Sequence, residues 1–460
     1  MHTLIRHPEL PVAVLGGGPV GLAAAAHLSE RDLPFVVLEA GSAPGASVRA
    51  WGHVQMFSPW RYNIDPAARR LLIGSRWAAP GEDVLPTGRE LVEEYLEPLA
   101  QLPAMAAQIR YGARVAAITR RDVDRVRTFG RQQSPFLIRL GDGTDVLASA
   151  IIDASGTWRT PNVLGANGLP AHGESDAAQF VDHALPDVLA ADRGRFSGRH
   201  TVVVGAGHSA ANTLLALVEL AETEPGTAVT WALRGGSPDR AFGGGAADAL
   251  PARGALGSRV QSLVNNGRIT LAIGFGVHKI EPTGHRVRVI GRSPRGVERE
   301  LVVDRVVSAT GFRPDHSIAA ELRLDLDPIL GCTRALAPLI DPNEHSCGTV
   351  RAHGVDELAH AELGYWTAGM KSYGRAPTFL LATGYEQVRS ITAALADDWV
   401  AAREVQLKLP ETGVCSATPT ARNARDATGA PPARDGDGAG IEHHRATTTL
   451  SLTTVGGCRG

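Results

Sequence analysis

The chain has 460 residues, which is long enough to bury a substantial core and to form two domains. Hydrophobic residues make up 43% of it, charged residues make up 20%, and the formal net charge is −2. This is the profile of an ordinary globular protein, and it excludes the basic excess typical of proteins that bind nucleic acid or anionic membranes. The cysteines at 332, 347, 415 and 458 are too few and too scattered for a disulfide framework, which favours a cytoplasmic location.

The first predicted element is an apolar strand at 12–15 that runs into the glycine-rich turn 16–21. A helix is predicted at 22–30, and "FVVLE" at 35–39 is predicted to be the second strand of a βαβ unit. The stretch 10–28 has no Asp, Glu, Lys or Arg, as a membrane span would. Its three consecutive glycines and two prolines favour a strand, a turn and a helix instead.

The spacing Gly16-x-Gly18-x-x-Gly21 between a strand and a helix predicts a dinucleotide site. Gly16 permits the tight turn, Gly18 lets the backbone approach a pyrophosphate, and Gly21 brings the helix and the strand together. The N-terminus of the helix faces the phosphate charge. Glu39 follows at the end of the second strand, where a carboxylate can accept hydrogen bonds from a ribose diol.

The segments after this unit alternate between helical and strand patterns. Residues 87–100 show helical spacing after a Thr that is suited to the start of a helix. The stretches 109–118 and 135–156 predict strands, and Gly-Asp-Gly within the second stretch predicts a hairpin turn.

A second unit of the same kind begins with "RFSGRHTVVVGAG" at residue 195. Gly205-x-Gly207-x-x-Ala210 repeats the glycine spacing, with Ala in a third place that tolerates it. The second strand of this unit ends at Arg234, which has no acid beside it. An acid at this point favours a free 2′-hydroxyl, whereas an arginine can pair with a 2′-phosphate. The second site is therefore predicted to bind NADPH.

Two unlike dinucleotide sites in one chain predict a relay of electrons. A reduced nicotinamide donates hydride, and a flavin accepts two electrons and passes them on singly or as a pair. We therefore expect FAD in the first site and NADPH in the second. Each unit is also followed by a strand that ends in a turn of small residues, at 151–158 and 306–315, where glycine allows the main chain to pass close to a cofactor.

These patterns predict an α/β protein with two Rossmann-like dinucleotide-binding domains, in which the NADPH domain is inserted in the FAD domain. A long helix is predicted at 376–396, and beyond residue 412 the chain has too few large apolar residues to order itself, so a disordered C-terminal tail is predicted. The predicted limits are 10–195 for the first part of the FAD-binding domain, 196–312 for the NAD(P)H-binding domain, 313–412 for the second part of the FAD-binding domain and 413–460 for the tail.

The order of these motifs resembles the flavoproteins with tandem Rossmann domains, especially the branch similar to flavin-containing monooxygenases. The resemblance covers most of the chain ahead of the tail, and it implies which residues contact each cofactor but assigns no catalytic residue. The implied FAD contacts are Gly16, Gly18, Pro19, Val20, Gly21, Glu39, Trp51, Gln55, Gly156 and Met370. The implied NADPH contacts are Gly205, Gly207, His208, Ser209 and Arg234, with Thr310 and Gly311 near the junction of the domains.

In that superfamily the segment corresponding to 51–63 runs beside the flavin ring. The resemblance implies that Trp51, Gln55, Ser58 and Asn63 contact the ring and that Arg61 attracts an anionic substrate. The alternative is a well-packed loop whose aromatic side chains use their polar tips structurally.

The chain also departs from the family patterns. Of the F-x-G-x-x-x-H signature that precedes the second Rossmann strand in the monooxygenase branch, only His183 remains, and the Cys-x-x-Cys pair of disulfide reductases is absent from the sequence. Many relatives place Gly-Asp against the flavin before the last helix. The sequence here has Gly369-Met370, so the hypothesis is that Lys371 or the helix N-terminus takes over these contacts.

Short phrases such as "SCGTVRAHG" and "LPETGVCS" resemble bacterial flavoproteins associated with arsenic-resistance clusters. Cys347 lies between His345 and His353, but their spacing is not typical of a metal site, so no metal is predicted. The likeness implies that Cys347 together with Cys415 or Cys458 binds trivalent arsenic, since soft thiolates favour soft centres.

The main hypothesis is therefore an FAD-dependent, NADPH-using oxidoreductase that acts as a monooxygenase on a small molecule. One alternative is a reductase that passes electrons to an acceptor protein or reduces a thiophilic arsenical. Another is a flavin or nucleotide sensor without catalysis, against which the intact motifs at both sites argue. No nucleic-acid or membrane partner is predicted.

Overall fold

The computed structural model describes residues 7–245, 248, 250–344, 350–377 and 379–407. The strands of this part of the chain are β1 (Val12–Leu15), β2 (Phe35–Leu38), β3 (Ile109–Arg110), β4 (Val115–Arg120), β5 (Phe136–Leu140), β6 (Asp145–Ala148), β7 (Ala150–Asp153), β8 (Val181–His183), β9 (His200–Val204), β10 (Ala228–Ala232), β11 (Thr270–Ala272), β12 (Gly276–Thr283), β13 (Arg286–Arg292), β14 (Glu298–Val303), β15 (Arg305–Ser308) and β16 (Tyr365–Thr367).

The α-helices are α1 (Pro19–Glu30), α2 (Ala46–Arg49), α3 (Pro66–Ile73), α4 (Gly88–Glu90), α5 (Glu97–Gln101), α6 (Pro103–Ala106), α7 (Arg193–Phe196), α8 (His208–Thr223), α9 (Pro251–Asn265), α10 (Ala337–Ile340), α11 (Leu381–Leu395) and α12 (Trp399–Arg403). A π-helical segment (Leu91–Leu96) joins α4 to α5. Short 3₁₀ segments occur at Trp60–Tyr62, Arg131–Gln133, Ala178–Phe180, Asp239–Phe242, Ser317–Ala319 and Gly369–Tyr373.

A five-stranded parallel sheet in the order β16-β7-β1-β2-β3 contains the first predicted unit. β16 comes last in the chain, yet it pairs with β7, which precedes the whole second unit. The second unit is therefore inserted between two strands of the first sheet. This topology confirms the predicted α/β fold with one Rossmann-like domain inside the other.

The second sheet is also parallel and five-stranded, in the order β11-β10-β9-β15-β8. Its edge strand β8 precedes residue 196, at which the sequence places the start of the inserted domain. We propose an earlier boundary, because the buried Leu164 and Phe180 also belong to the core on one face of this sheet. The other domain limits stay predictions.

Each parallel sheet is covered by helices on one face and by a three-stranded antiparallel sheet on the other. In β1, Val12 and Val14 join the core that includes α1, α3 and α11, whereas Ala13 and Leu15 join the core formed with β4, β5 and β6. Side chains alternate between the two faces of a strand, so buried strands need apolar residues at every position.

The inserted domain repeats this plan of layers. Val203 packs with α8 and α9, while Val202 and Val204 pack against β12, β13 and β14. The sequence motifs reveal only the two glycine turns. They do not reveal the two antiparallel sheets, because these sheets occupy equivalent positions in their domains without sharing a sequence motif.

Three predicted helices differ at their boundaries. α1 begins at Pro19, inside the predicted turn, and α11 begins at Leu381, five residues later than expected. The predicted helix 87–100 starts with the expected cap, since the Thr87 hydroxyl accepts a hydrogen bond from the Glu90 N–H at 3.2 Å. It then widens into the π-helical segment ahead of Pro98, whose ring cannot fit a regular helix interior.

Among the described helices, none has the length and apolar character needed to cross a membrane. The tail predicted from residue 413 lies outside the described residues, as do Cys347, Cys415 and Cys458.

Candidate functional site

The first glycine turn is built by two glycines that allow no side chain. Gly16 has a φ of +99°, and a Cβ atom there would lie 2.8 Å from the Ala154 carbonyl oxygen at the end of β7. A Cβ atom at Gly21 would lie 1.9 Å from the Gly16 carbonyl oxygen. Close packing of α1 on this turn therefore requires glycine at both positions.

Gly18 differs because it borders open space. Its backbone is extended, with φ −82° and ψ −173°, and a Cβ atom there would meet no described atom within 4 Å. α1 begins at the next residue, Pro19, and the first turn of a helix has N–H groups without partners in the helix. The space beside Gly18 therefore has the shape and the positive helix terminus that a pyrophosphate requires.

Glu39 lies just beyond β2 with 8% of its surface exposed. Its two carboxylate oxygens accept hydrogen bonds from the Gly17 N–H at 2.6 Å and from the Gly41 N–H at 2.5 Å. Glu39 therefore holds the glycine turn. Each carboxylate oxygen has a second lone pair, so the predicted contact with a ribose remains compatible with this arrangement.

The second glycine turn repeats the geometry of the first. Gly205 has a φ of +134°, and a Cβ atom there would lie 2.1 Å from the Ala309 carbonyl oxygen at the end of β15. Gly207 is extended, with φ −89° and ψ 179°, and no described atom lies within 4 Å of its Cβ position. α8 follows directly, so this turn also has room for a pyrophosphate at a helix N-terminus.

The predicted turns of small residues lie directly after β7 and β15. Gly156, with φ +71°, borders open space near the first turn. Thr310 and Gly311 lie where the chain crosses between the two sheets. There the Asn162 side chain donates to the Thr310 carbonyl at 2.8 Å and the Asn162 N–H donates to the Gly311 carbonyl at 2.9 Å. The rings of Trp158 and Phe312 stack across the same crossing, 5.0 Å apart.

The segment 51–63 brings the two halves of the site together. The Phe57 ring lies 4.8 Å from the ring of His208, the first residue of α8. Burial, followed by the nearby Arg253, lowers the pKa of His208 to about 4, so the imidazole is neutral at pH 7. Phe57 and His208 thus form an uncharged contact between the first domain and the second glycine turn.

Trp51 and Gln55 differ in their exposure to solvent, since Trp51 is half-buried and Gln55 is exposed. Trp51 packs on Gly88, where a Cβ atom would lie 2.7 Å from the indole ring, whereas Gln55 is exposed and its backbone bridges to Thr87. Ser58 and Asn63 are buried and form a hydrogen bond with each other, in which the Ser58 hydroxyl donates to the Asn63 side-chain oxygen at 2.9 Å.

The Arg61 guanidinium forms an ion pair with Asp83 on the surface. Ser58, Asn63 and Arg61 thus help to hold the loop together, and their expected contacts with the flavin and with the substrate stay predictions.

Lys371 forms a buried ion pair, and its hypothesised contact with the flavin stays a prediction. Lys371 is 1% exposed, and its ammonium lies 2.6 Å from Asp153 Oδ2 and 3.2 Å from the Ser155 hydroxyl. Asp153 is the last residue of β7, and the Tyr365 hydroxyl also donates to its Oδ2 at 2.8 Å. Met370 precedes Lys371 in the 3₁₀ segment Gly369–Tyr373 and is half-buried. The pattern "IIDASG", with one acid ending an apolar strand, was the signal for a buried ion pair that sequence reasoning missed.

Arg234 lies beyond the end of β10 and is exposed, as expected for a residue that meets a 2′-phosphate. One of its terminal nitrogens donates to the Ala166 carbonyl at 2.9 Å, which fixes the guanidinium near the end of the strand. Ser209 is half-buried in the first turn of α8. The roles of these residues toward NADPH remain predictions.

Cys332 is the only cysteine among the residues that the structure describes, and it is buried. Burial raises the pKa of its thiol to about 12, so it stays protonated at neutral pH. No group of three or more His, Cys, Asp or Glu in the described ranges is arranged to hold a metal ion.

Buried histidines make the free energy of unfolding depend on pH. Burial, followed by the nearby His316, lowers the pKa of His360 to about 4, and its Nε2 has no hydrogen-bond partner among the described residues. Because this folded-state value is below the ordinary value, the contribution to stability is complete above about pH 6.5 and is lost as the pH falls toward 4. We expect His360 to lower the free energy of unfolding by about 2 kcal/mol between pH 7 and pH 5.

Urea unfolding at both pH values measures this difference. The Asn in His360→Asn can still accept the hydrogen bond that the Asp325 N–H donates to His360 Nδ1, and it does not titrate. The variant should therefore lose about 2 kcal/mol less stability on acidification than the wild type. Equal losses in the two proteins would contradict the role of His360.

The chain is similar to known proteins in both sequence and fold. The profile of the pyridine nucleotide-disulphide oxidoreductase family matches residues 13–328. Thiamine thiazole synthase of Methanoculleus marisnigri is 42% identical over 69 residues, which are 15% of this chain, and the chain spans only 26% of that relative.

Solved structures share the fold over most of their length. The bacillithiol disulfide reductase of Bacillus cereus has 20% identity and a TM-score of 0.62, with 84% of this chain and 99% of that chain covered. The flavin-containing monooxygenase of Stenotrophomonas maltophilia has 21% identity and a TM-score of 0.53, with 84% and 98% covered. The cadaverine monooxygenase of Erwinia amylovora, solved with FAD, has 14% identity and a TM-score of 0.59, with 88% and 98% covered.

The open space at Gly18 and Gly207, each beside a helix N-terminus, fits the pyrophosphates of two dinucleotides. The family profile covers more than half of the chain. The chain therefore belongs to the pyridine nucleotide-disulphide oxidoreductase family and is an oxidoreductase that binds FAD and NADP(H).

Proposed function

We propose that the protein is a monooxygenase that uses NADPH and FAD to oxidise a small molecule, and that it works in the cytoplasm. The observation that carries this proposal is the contact between the two domains at Phe57 and His208, which follows directly on the open glycine turn of the second domain. Hydride transfer requires that two cofactors share one space. Dithiol chemistry would require a pair of thiols, and the described part of the chain has one buried cysteine.

The bound FAD would supply both the hydride acceptor and the group that reacts with oxygen. The chain's own residues bind and orient the cofactors. Gly18 and α1 would receive one pyrophosphate, with the turn held by Glu39, and Gly207 and α8 would receive the other. The uncharged contact between Phe57 and His208 would exclude water from the space between them.

Cys332 lies in the hydrophobic core, and burial raises the pKa of its thiol to about 12, so this cysteine does not supply the thiolate that disulfide reduction needs. The alternatives remain a reductase that serves an acceptor protein and a reductase of thiophilic arsenicals. The second of these would use Cys347, Cys415 or Cys458, which lie outside the described residues.

A stopped-flow experiment separates these functions. The purified protein is reduced with NADPH without oxygen and then mixed with oxygenated buffer, while absorbance and released hydrogen peroxide are followed. A monooxygenase should reoxidise in more than one spectral phase and should release little peroxide before the last phase. A single phase with stoichiometric peroxide, together with fast reoxidation by a disulfide, an arsenical or a protein acceptor, would overturn the proposal in favour of a reductase.

The cofactor preference depends on Arg234. In Arg234→Ala we expect the KM for NADPH to rise about tenfold to a hundredfold, because hydrogen bonds to a charged group contribute about 1.5–3 kcal/mol. The kcat should change little, since the contact is remote from the hydride, and the KM for NADH should stay the same. Steady-state kinetics with both nucleotides measure these constants.

Arg259→Ala, which removes an exposed arginine from α9, is the matched control and should behave like the wild type. Equal use of NADPH and NADH by the wild type would remove this role from Arg234.

A further inference from the structure

The turn that follows β16 borders the space opened by the first glycine turn. β16, β7 and β1 are parallel neighbours, and ligands of such sheets bind beyond the carboxyl ends of the strands. Gly369, just beyond β16, has a φ of +71°, and a Cβ atom there would lie 3.3 Å from the side chain of Val20 in the first turn of α1. Gly369 therefore packs against the start of α1, the helix whose N-terminus adjoins the open space at Gly18.

Both peptide groups of Gly369 are held by buried side chains. Its N–H donates to Gln387 Oε1 at 2.8 Å, and its carbonyl accepts from the Ser372 hydroxyl at 2.7 Å. Gln387 lies on α11 with 0% of its surface exposed. Its amide nitrogen donates to the Ser372 hydroxyl oxygen at 2.8 Å and to Nε2 of His353 at 2.9 Å.

His353 decides which way the Gln387 amide points. Its Nδ1 lies 3.0 Å from the Arg351 carbonyl oxygen, which can only accept, so Nδ1 carries the ring proton. Nε2 of the neutral ring is then an acceptor and must face the NH₂ group of Gln387. The amide oxygen is left facing Gly369, and the direction of the amide is therefore fixed by the hydrogen-bond pattern.

The surroundings of His353 favour this neutral ring. Burial lowers the pKa of His353, and the hydrogen bond to the Arg351 carbonyl together with the field of Glu357 and Glu386 opposes this only in part. The Tyr373 ring packs beside it, with centroids 5.5 Å apart.

We propose that Gln387 and His353 are positioning residues that hold the Gly369–Met370 turn in the conformation that binds FAD. Neither side chain needs to touch the cofactor, because each acts through the backbone of Gly369. The inference depends on FAD binding at the first site, and it does not depend on the fate of oxygen.

Two variants at residue 387 test the proposal by different routes. Gln387→Met has a similar volume but cannot accept from Gly369, and we expect FAD to dissociate at least about tenfold faster, with an altered visible circular dichroism of the bound flavin.

In Gln387→Glu the carboxylate can accept from Gly369, but it faces the Nε2 lone pair of His353 unless that nitrogen is protonated. This variant should therefore hold FAD better at about pH 6 than at about pH 8, whereas the wild type should hold it equally at both.

Thr392→Val is the matched control. Thr392 lies further along α11, is 0% exposed, and its hydroxyl donates to the Arg389 carbonyl of the same helix at 3.1 Å. Its loss should lower the melting temperature and leave the rate of FAD release unchanged.

The proposal is overturned if Gln387→Met keeps FAD with the wild-type rate and spectrum, or if Thr392→Val releases FAD as fast as Gln387→Met. Should Gln387→Met fail to fold, a Gln387→Glu protein without any dependence on pH would overturn it as well. A wild type that holds no FAD would instead contradict the cofactor assignment and, with it, the proposed function.

Discussion

Gly207→Val is expected to abolish reduction by NADPH in a protein that still folds and still binds FAD. Gly207 has an extended backbone that any residue adopts, and its Cβ position meets no described atom within 4 Å. The added side chain would instead occupy the space where the pyrophosphate of NADPH approaches the start of α8. We expect kcat/KM for NADPH to fall at least about a hundredfold, which corresponds to about 2.7 kcal/mol.

The measurement compares two reductants. Dithionite should bleach the flavin of Gly207→Val as it does in the wild type, while NADPH should not. If NADPH reduces the variant at the wild-type rate, the second glycine turn is not the NADPH site.

Gly205→Val, two residues earlier, is the contrasting variant. Its Cβ would lie 2.1 Å from the Ala309 carbonyl oxygen at a φ of +134°, so the protein itself should fail to fold. Gly18→Val applies the same logic to the first domain, where it should yield a folded protein that lacks FAD. A Gly18→Val protein that purifies with a full complement of FAD would contradict the assignment of the first turn.

Lys371→Met is expected to have the largest effect on stability. It leaves the carboxylate of Asp153, which is 0% exposed, without its cation. Burial alone would raise the pKa of Asp153, but Lys371 and the hydrogen bonds from Ser155 and Tyr365 outweigh it and hold the pKa below its ordinary value. Breaking such a pair from one side costs about 3–5 kcal/mol, and we expect the free energy of unfolding at pH 7 to fall by this amount.

A double variant shows whether the buried charge is the cause. Lys371→Met combined with Asp153→Asn removes both charges and should recover a large part of the lost stability in urea unfolding. Arg139→Met, which breaks the exposed pair of Arg139 with Asp145, should leave the melting temperature near that of the wild type. A double variant as unstable as Lys371→Met would show that lost packing, and not the unpaired charge, is responsible.

Much of the fold and the two cofactor turns could be predicted from the sequence because their causes are local. A strand, a glycine turn and a helix are specified within about twenty residues. Gly16 and Gly205 need a positive φ beside a neighbouring strand, a requirement that only glycine meets without strain. The unlike segments downstream of the two motifs also predicted that one domain is inserted in the other, and the pairing of β16 with β7 confirms it.

The tertiary structure alone decided how the buried polar side chains are used. Lys371 pairs with Asp153 across 218 positions of the chain, and His353 sets the amide of Gln387 across 34. By contrast, Ser58 and Asn63 bond to each other within one loop. A buried polar group takes whichever partner the fold brings within about 3 Å, because leaving it unpaired costs about 1–3 kcal/mol. That partner depends on how distant elements pack, which neither residue type nor spacing along the chain specifies.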